Sequence, residues 1–335
     1  MQELRWNPVH KWWVMLATNR QNRPLMPEDW CPFCPGSNFV PEDYLVHIYP
    51  NDFPALCSDA PIPMPEVSLI SENQELVGRF FNKYASSGTC EVVLYSKDHY
   101  ARLYELSEDH LRHLVLLWQQ RHKQLAINPI HKYIYIFENR GEAVGVTMPH
   151  PHGQIYAYPF IPKKIQEELD TCLEYSQLYQ RNFHDDWLTA EKSIQKRMVY
   201  ETENWGVFVP FWAEYPYQLM VIPQKKFLTL SDFSEQELLE LGKLLQRIVW
   251  MYDRIYDFVF PFMMVFHSAP ENTGINYDFY RFHVEFYPPL RSAKTQKFNA
   301  SSETGAWAHG NPATPEEKAA EMKNLIQQPY PHENT

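Results

Sequence analysis

The chain has 335 residues, 44% of them hydrophobic and 15% aromatic, with 11 glycines and 27 prolines, which suits one large or two medium globular domains rich in strands and fixed turns. A formal net charge of −11 (30 Lys+Arg against 41 Asp+Glu) argues against a sequence-independent nucleic-acid binder, which needs a basic face for phosphates, yet allows a small phosphorylated ligand held by two or three local cations or helix-terminal amides. No apolar run approaches the ~18 residues of a membrane span, so no membrane partner is expected.

The opening stretch "MQELRWNPVHKWW" lacks the apolar core of a signal peptide. The cysteines are Cys31, Cys34, Cys57, Cys90 and Cys172, an odd set with one close pair, which reads as reduced and cytoplasmic. That pair lies in "CPFCPGS" (31–37), where two thiolates two residues apart can share one zinc ion while nearby amides satisfy the sulfurs. A tetrahedral ion needs two more ligands. There is no second C-x-x-C, so histidines must supply them, and His99 of "SKDHY" and His150 are the best candidates. A redox pair or a plain reduced pair is the alternative.

Two later windows match one another: "VVLYSKDHYARLYELSEDHLRHLVLLWQQR" (92–121) and "LMVIPQKKFLTLSDFSEQELLELGKLLQRI" (219–248). Each reads as a short apolar strand, a polar turn and a helix opened by serine. Ser234 with Glu237 fits a capping box, and Ser107 is the equivalent N-cap. Leu111, Leu114, Val115 and Trp118 in one helix, and Leu238, Leu241, Leu245 and Ile248 in the other, recur at helical spacing. Each window leads to a strand, "YIYIF" (133–137) or "FMMVF" (262–266), and then to a strand opened by a paired motif, His150-x-His152 or His283-x-Glu285. In this alignment Glu285 stands where His152 stands. The second copy then lacks a nitrogen nucleophile and is expected not to catalyse.

The repeats run over about 30–165 and 195–290 and are joined by 166–195, in which "QEELDTCLEYSQLYQRNF" reads as a helix. A terminal helix is expected in "TPEEKAAEMKNLIQQ" (314–328), capped by Thr314 with Pro315 at its first position. The expected fold is α+β: two tandem α/β repeats with mostly antiparallel sheets, divided into 1–165, 166–300 and a C-terminal tail, 301–335.

The chemistry concentrates in "HPHGQ" (150–154). Imidazole can attack a phosphoanhydride through one nitrogen and leave again from the phosphoramidate, provided a partner on the other nitrogen holds one tautomer. A neighbouring carbonyl can accept the Nδ1–H of His152, Gly153 lets backbone amides approach phosphate oxygens, and Gln154 can donate to a non-bridging oxygen. If a metal pins His150, the two histidines separate into two roles. The plainer reading is two histidines hydrogen-bonded at a strand start.

These motifs occur in order with "RWNP" (5–8), "NRQNRP" (19–24), "NDFPAL" (51–56), "FENRGEAVG" (137–145), "FVPFWAEYP" (208–216), "FHSAP" (266–270) and "FYPPLRS" (286–292). The set resembles the galactose-1-phosphate uridylyltransferase family, a two-repeat branch of the histidine-triad superfamily. The resemblance implies two tandem histidine-triad-like repeats and ping-pong chemistry: His152 takes UMP from UDP-glucose, releasing glucose 1-phosphate, and galactose 1-phosphate then takes it to give UDP-galactose. It assigns phosphate contacts to Gln154, Asn139, Thr147, Arg20 and Arg23, and ribose and uracil contacts to Asn51, Asp52 and Phe53. Lys297, Phe298 and Glu303 match residues that meet the hexose phosphate from the partner subunit of a homodimer. Cys31, Cys34, His99 and His150 match the family's zinc ligands. Glu168, His267, His283 and Glu285 match a second site for iron or zinc, where Glu285 replaces a histidine. Ser301 and Ser302 also depart from the family pattern beside the hexose contacts. Two other readings share the same residues: a nucleotide-sugar phosphorylase or adenylyltransferase of this fold, and a zinc-stabilised nucleotide-binding protein without turnover. Gln154, where hydrolytic relatives carry histidine, disfavours a hydrolase.

Overall fold

The computed structural model describes residues 2–22, 30–66 and 71–330. In chain order its elements are β1 (Gln2–Asn7), β2 (Trp12–Ala17), β3 (His47–Pro50), α1 (Gln74–Phe80), β4 (Lys83–Ala85), β5 (Thr89–Leu94), α2 (Glu108–Ala126), β6 (Tyr133–Arg140), β7 (His152–Tyr158), α3 (Lys163–Tyr179), α4 (Phe183–Ile194), β8 (Met198–Glu201), β9 (Trp205–Phe208), β10 (Leu219–Pro223), α5 (Glu235–Ile255), β11 (Phe262–His267), β12 (His283–Tyr287), β13 (Leu290–Ser292), β14 (Thr295–Gln296), α6 (Ser301–Ala306) and α7 (Pro315–Ile326).

Nine strands form one sheet in the order β3-β5-β7-β6-β11-β12-β10-β9-β8, and every ladder in it is antiparallel. The α+β, antiparallel expectation therefore holds, with one refinement: β6 pairs with β11, so the two repeats share a single sheet and a pseudo-dyad runs between those strands. The helix face of the sheet carries Val93, Ile136 and Ile155 from one half and Val221, Met264 and Val284 from the other, all in one core with the inner faces of α2 and α5. The two helices cross where Gly242 leaves room, since a Cβ there would lie 2.9 Å from Val115 Cγ1. The exchange is reciprocal. Gln119 on α2 donates to the Leu230 and Phe233 carbonyls, and Gln246 on α5 donates to those of Leu103 and Leu106. Each glutamine thus satisfies buried backbone of the opposite half.

Local signals behave as their chemistry requires. Ser107, Ser234 and Thr314 each accept a backbone N–H at their helix starts, and Ser234 with Glu237 closes a capping box. The linking segment departs from the single helix read over 166–183. It is α3 and α4, broken at Gln180 in the left-handed region (φ 55°) and restarted by Asn182, whose side chain accepts from the His184 and Asp185 amides. Within the tail, α7 packs on α5 and β8 and buries Met322 and Ile326 completely.

The ladders correct the repeat alignment. Val93 pairs with Gly153 as Val221 pairs with Val284, and Phe137 pairs with Gln154 as Val265 pairs with Glu285. His283 therefore stands where His152 stands, Glu285 where Gln154 stands, and Arg281 where His150 stands. The Nδ1 contacts agree: His152 donates to the His150 carbonyl (2.7 Å) and His283 to the Arg281 carbonyl (3.0 Å), each two residues back. A slip of two residues preserves which side chains share a face, so alternation along the strand cannot reveal it.

Candidate active site

β7 begins at His152, on the face opposite α2 and α5. With a carbonyl as its partner, Nδ1 must carry the proton, which puts the lone pair on Nε2. Just before it, buried His150 is fixed through the other nitrogen: its Nε2–H donates to the Ser96 carbonyl (2.8 Å), so Nδ1 faces the cysteines. Cys31 Sγ and Cys34 Sγ lie 3.8 and 3.7 Å from that nitrogen, and Cys34 Sγ lies 3.4 Å from His99 Nδ1. A tetrahedral zinc ion with bonds of about 2.3 Å to sulfur and 2.0–2.1 Å to nitrogen holds such atoms about 3.6 Å apart, so the four residues fit one ion. Burial pushes the Cys31 thiol up to about 11 and His150 down to about 4. Buried thiolates need a cation nearby, and a neutral imidazole is the form that ligates.

The Cys31–Cys34 turn also touches the nucleophile. Phe33, 2% exposed, sets its ring edge-on to His150 (5.9 Å between centroids) and His152 (5.8 Å). Tyr44 donates to the Phe33 carbonyl (2.7 Å) and holds the turn from beneath.

A cavity of about 330 Å³ opens at His152, and its lining includes Asn139, Thr147, His150, Tyr95 and Glu138. Thr147 Oγ1 is buried there without a partner among the described residues, which marks a position for a ligand's polar group or a water. Gln154 lies on the same face of β7 as His152, between Val92 and Phe137. Asn51 is tied through its N–H to the Cys90 carbonyl (3.3 Å), and its side chain accepts from the Phe53 amide. Asp52 accepts from Tyr49. Cys90 pairs with Tyr156, four residues along β7 from His152, about 13 Å at strand rise. Arg20, in the 3-10 turn Thr18–Asn22, exerts its charge on Cys90 and Tyr158 at that far end. Arg23 lies outside the described residues.

Lys297, Phe298 and Glu303 are gathered elsewhere. They share a groove of about 440 Å³ after the β13–β14 hairpin, and none of its lining residues lines the His152 cavity. Lys297 Nζ lies 3.9 Å from Glu303 and 4.9 Å from the Tyr215 ring centroid, and Phe298 is 70% exposed.

Glu168 of α3 meets His267, His283 and Glu285 in a second cluster, with one ligand atom of each within 4.8 Å of the others. His267 Nδ1 donates to Glu168 (2.8 Å), and Tyr280 donates to the same carboxylate (3.0 Å). The other three histidine–carboxylate separations are 3.8–4.0 Å, a few tenths wider than the ~3.4 Å of a closed tetrahedral N/O site. The donor set suits iron or zinc. Sequence reasoning missed Lys164, whose ammonium at the rim lies 3.1 Å from Glu285, and His184, whose ring lies tilted 4.7 Å from that of His283. Neither sits in a motif, and α3 and α4 bring both in from outside the repeats. His283 is 1% exposed beneath these helices, so its imidazole is covered, and the residue matching the His152 position is this histidine and not the Glu285 carboxylate.

A sheet doubled about a pseudo-dyad, with matched imidazoles of which one lines a cavity and the other is buried, defines a class: nucleotidyl-transfer proteins of two fused α/β halves. Residues 1–162 match the galactose-1-phosphate uridyl transferase N-terminal domain, and residues 168–332 match its C-terminal domain. The chain belongs to the galactose-1-phosphate uridylyltransferase family. It is 39% identical over 324 residues to the galactose-1-phosphate uridylyltransferase of Thermotoga maritima, covering 96% of this chain and 98% of the relative. A solved uridylyltransferase structure superposes with a TM-score of 0.86 at 27% identity, covering 97% and 98% of the two chains. An ADP-glucose phosphorylase from Arabidopsis thaliana, 22% identical, shares the fold (TM-score 0.71; 96% and 98% covered).

Proposed function

We propose that this protein moves UMP from UDP-glucose to galactose 1-phosphate through a uridylyl group carried on His152. The observation that carries the reading is the tautomer lock: an Nδ1–H held at 2.7 Å by the His150 carbonyl makes Nε2 the nucleophile. Nε2 attacks the α-phosphorus, the bond to the β-phosphate oxygen breaks, and glucose 1-phosphate departs as an anion that needs no proton. The imidazole becomes a uridylyl-imidazolium whose charge the His150 carbonyl faces. Galactose 1-phosphate then attacks the same phosphorus through a phosphate oxygen, restores neutral His152 and leaves as UDP-galactose. Gln154, Asn139 and Thr147 donate to the non-bridging oxygens as charge develops. The nucleoside extends along β7 and β5 toward Asn51, Asp52 and Phe53, the end of the strands at which Arg20 exerts its charge.

Cys31, Cys34, His99 and His150 would hold a zinc ion, which would supply a fixed cation tying the start of β7 to the Cys31–Cys34 turn. Glu168, His267, His283 and Glu285 would hold a second iron or zinc ion, a structural tie between α3 and the second half. The separation of Lys297, Phe298 and Glu303 from His152 supports a homodimer in which each chain completes its partner's hexose-phosphate site. The cysteines are unpaired, as a reducing compartment keeps them, and no helix of the described residues is long and apolar enough to cross a membrane. We place the protein in the cytoplasm.

The test is labelling. UDP-glucose alone should leave UMP on the protein in an acid-labile, base-stable bond, and His152→Asn should abolish both the label and turnover. ADP-glucose as donor and inorganic phosphate as acceptor should be poor substrates. Turnover of His152→Asn at the wild-type rate would sink the assignment, and preference for ADP-glucose with phosphate would make the protein a phosphorylase.

A further inference from the structure

Two side chains on the helix face of the sheet meet beneath the catalytic turn, and the mechanism above uses neither of them. Gly153 has Val93 beside it on β5, and its neighbour Gln154 faces Phe137 on β6. Tyr95, just past the end of β5, and Glu138 on β6 therefore flank Gly153. A Cβ at position 153 would strike the Tyr95 hydroxyl and would lie 3.0 Å from Tyr95 Cζ and 3.1 Å from the Phe137 carbonyl. The phenol thus occupies the space beneath Gly153 that only glycine leaves open. The same residue grips the turn by its backbone, donating from Tyr95 N–H to the Pro151 carbonyl (3.0 Å). The Tyr95 hydroxyl and Glu138 Oε2 are both buried, and neither has a partner in hydrogen-bond geometry among the described residues. They are nonetheless close enough to act on each other's ionisation. Burial above all pushes Glu138 up to about 7, with Arg140 pulling the other way, so the protein bears a cost to keep a carboxyl here.

The second half is an internal control. Its ladder positions matching Tyr95, Gly153 and Glu138 are Pro223, Val284 and Phe266, all buried and apolar. Packing alone is satisfied there without a polar group. The polar pair belongs to the half whose histidine meets the cavity.

We propose that Tyr95 and Glu138 are positioning residues for nucleotidyl transfer: the phenol beneath Gly153, engaged with the carboxyl on the adjoining strand, sets the height of the His152–Gly153–Gln154 backbone against the α-phosphate. This rests on His152 being the nucleophile. Tyr95→Phe keeps the ring and deletes one oxygen. It should slow single-turnover UMP loading about 10–100-fold, the scale of a small misplacement, while UDP-glucose affinity stays within about twofold. Glu138→Gln, which keeps a polar oxygen beside the phenol, should lose less than Glu138→Leu. In a Gly153→Ala background the effect of Tyr95→Phe should change sign and raise loading, because it removes the atom that the new methyl strikes. Wild-type loading in folded Tyr95→Phe, or losses that simply add in the Tyr95→Phe, Gly153→Ala double variant, overturns the proposal. These two arms decide even if Glu138→Leu fails to fold. A labelled wild type with unaffected variants defeats this inference alone, whereas an unlabelled wild type defeats the reading of His152 and this inference with it.

Discussion

At the scale of single residues, roles follow from which nitrogen or oxygen is already engaged. His150 and His152 are two residues apart, yet one is held through Nε2 with Nδ1 toward sulfur, and the other through Nδ1. Phe33 touches both rings from within the Cys31–Cys34 turn, so loss of zinc should be felt at the nucleophile. Cys34→Ser is expected to lower bound zinc and stability together, by about 2–3 kcal/mol, or a melting temperature roughly 3–4 °C lower. Elemental analysis and calorimetry measure both, and full zinc in a Cys31→Ser, Cys34→Ser double variant would rule the site out. Glu303 is argued on the same terms. Its carboxylate caps α6 through the Ala300 amide (3.1 Å) and neighbours Lys297. Glu303→Ala should weaken discrimination among hexose 1-phosphates by roughly 0.5–1.5 kcal/mol per lost hydrogen bond and leave UMP loading nearly intact. Equal losses in both half-reactions would show that Glu303 does not select the sugar.

At the scale of elements, α2 shows how a helix stores a pH dependence. Its inner face is apolar except for Gln119 and His122. Gln119 is satisfied by two carbonyls, while His122, 1% exposed, has Ser231 Oγ 3.2 Å from Nδ1. Burial pushes His122 down to about 4. The unfolded chain takes up a proton near pH 6.5 and the folded chain does not. Its contribution is therefore fully present above pH 6.5 and is lost as pH falls toward 4, amounting to about 2 kcal/mol at pH 5. Urea unfolding at pH 7.5 and pH 5 should show a smaller loss in His122→Leu than in wild type by about that amount. Equal losses would mean that His122 titrates normally in the fold. The helix itself was legible from Ser107 and the spacing of Leu111, Leu114, Val115 and Trp118. The burial of His122 was not, because only the 3-10 turn of the other half at Leu230–Asp232 closes over it.

At the scale of the whole molecule, α3 and α4 lock one half-site shut and the other remains reachable. Burial opposes ionisation of Glu168, yet His267, His283 and Lys164 together hold its carboxyl well below the usual range. Glu168→Ala would leave the His267 Nδ1–H and the Tyr280 hydroxyl without their shared acceptor, and a loss of roughly 3–5 kcal/mol is expected. UMP labelling of His152 should remain detectable, since no residue of this cluster lines that cavity. Loss of labelling in a folded variant would contradict the separation of the two sites. Assembly has its own test. Mixing His152→Asn chains with Lys297→Ala chains, each poor alone, should restore up to about a quarter of wild-type sites if subunits exchange at random and each hexose site is built across the dimer. No recovery in confirmed mixed dimers would place Lys297 in its own chain's site.

The sequence by itself determined the duplicated α/β plan, the serine and threonine caps, the Cys31–Cys34 pair and the "HPHGQ" turn, because each is written in local spacing or in a short run of residue types, whereas Glu168, His267, His283 and Glu285 were legible as a set only through the resemblance to the family. What only the tertiary structure decided are relations between segments. A period of two cannot distinguish His283 matched to His150 from His283 matched to His152; the ladders and the Nδ1 contacts decide for His152. Gly153 read as room for phosphate, whereas the fold fills that room with the Tyr95 hydroxyl. Lys164 and His184 carry no motif and reach the second cluster only because two linking helices fold back over the sheet. Burial, register and the covering of one imidazole are set by contacts between residues distant in the chain, which no local pattern encodes.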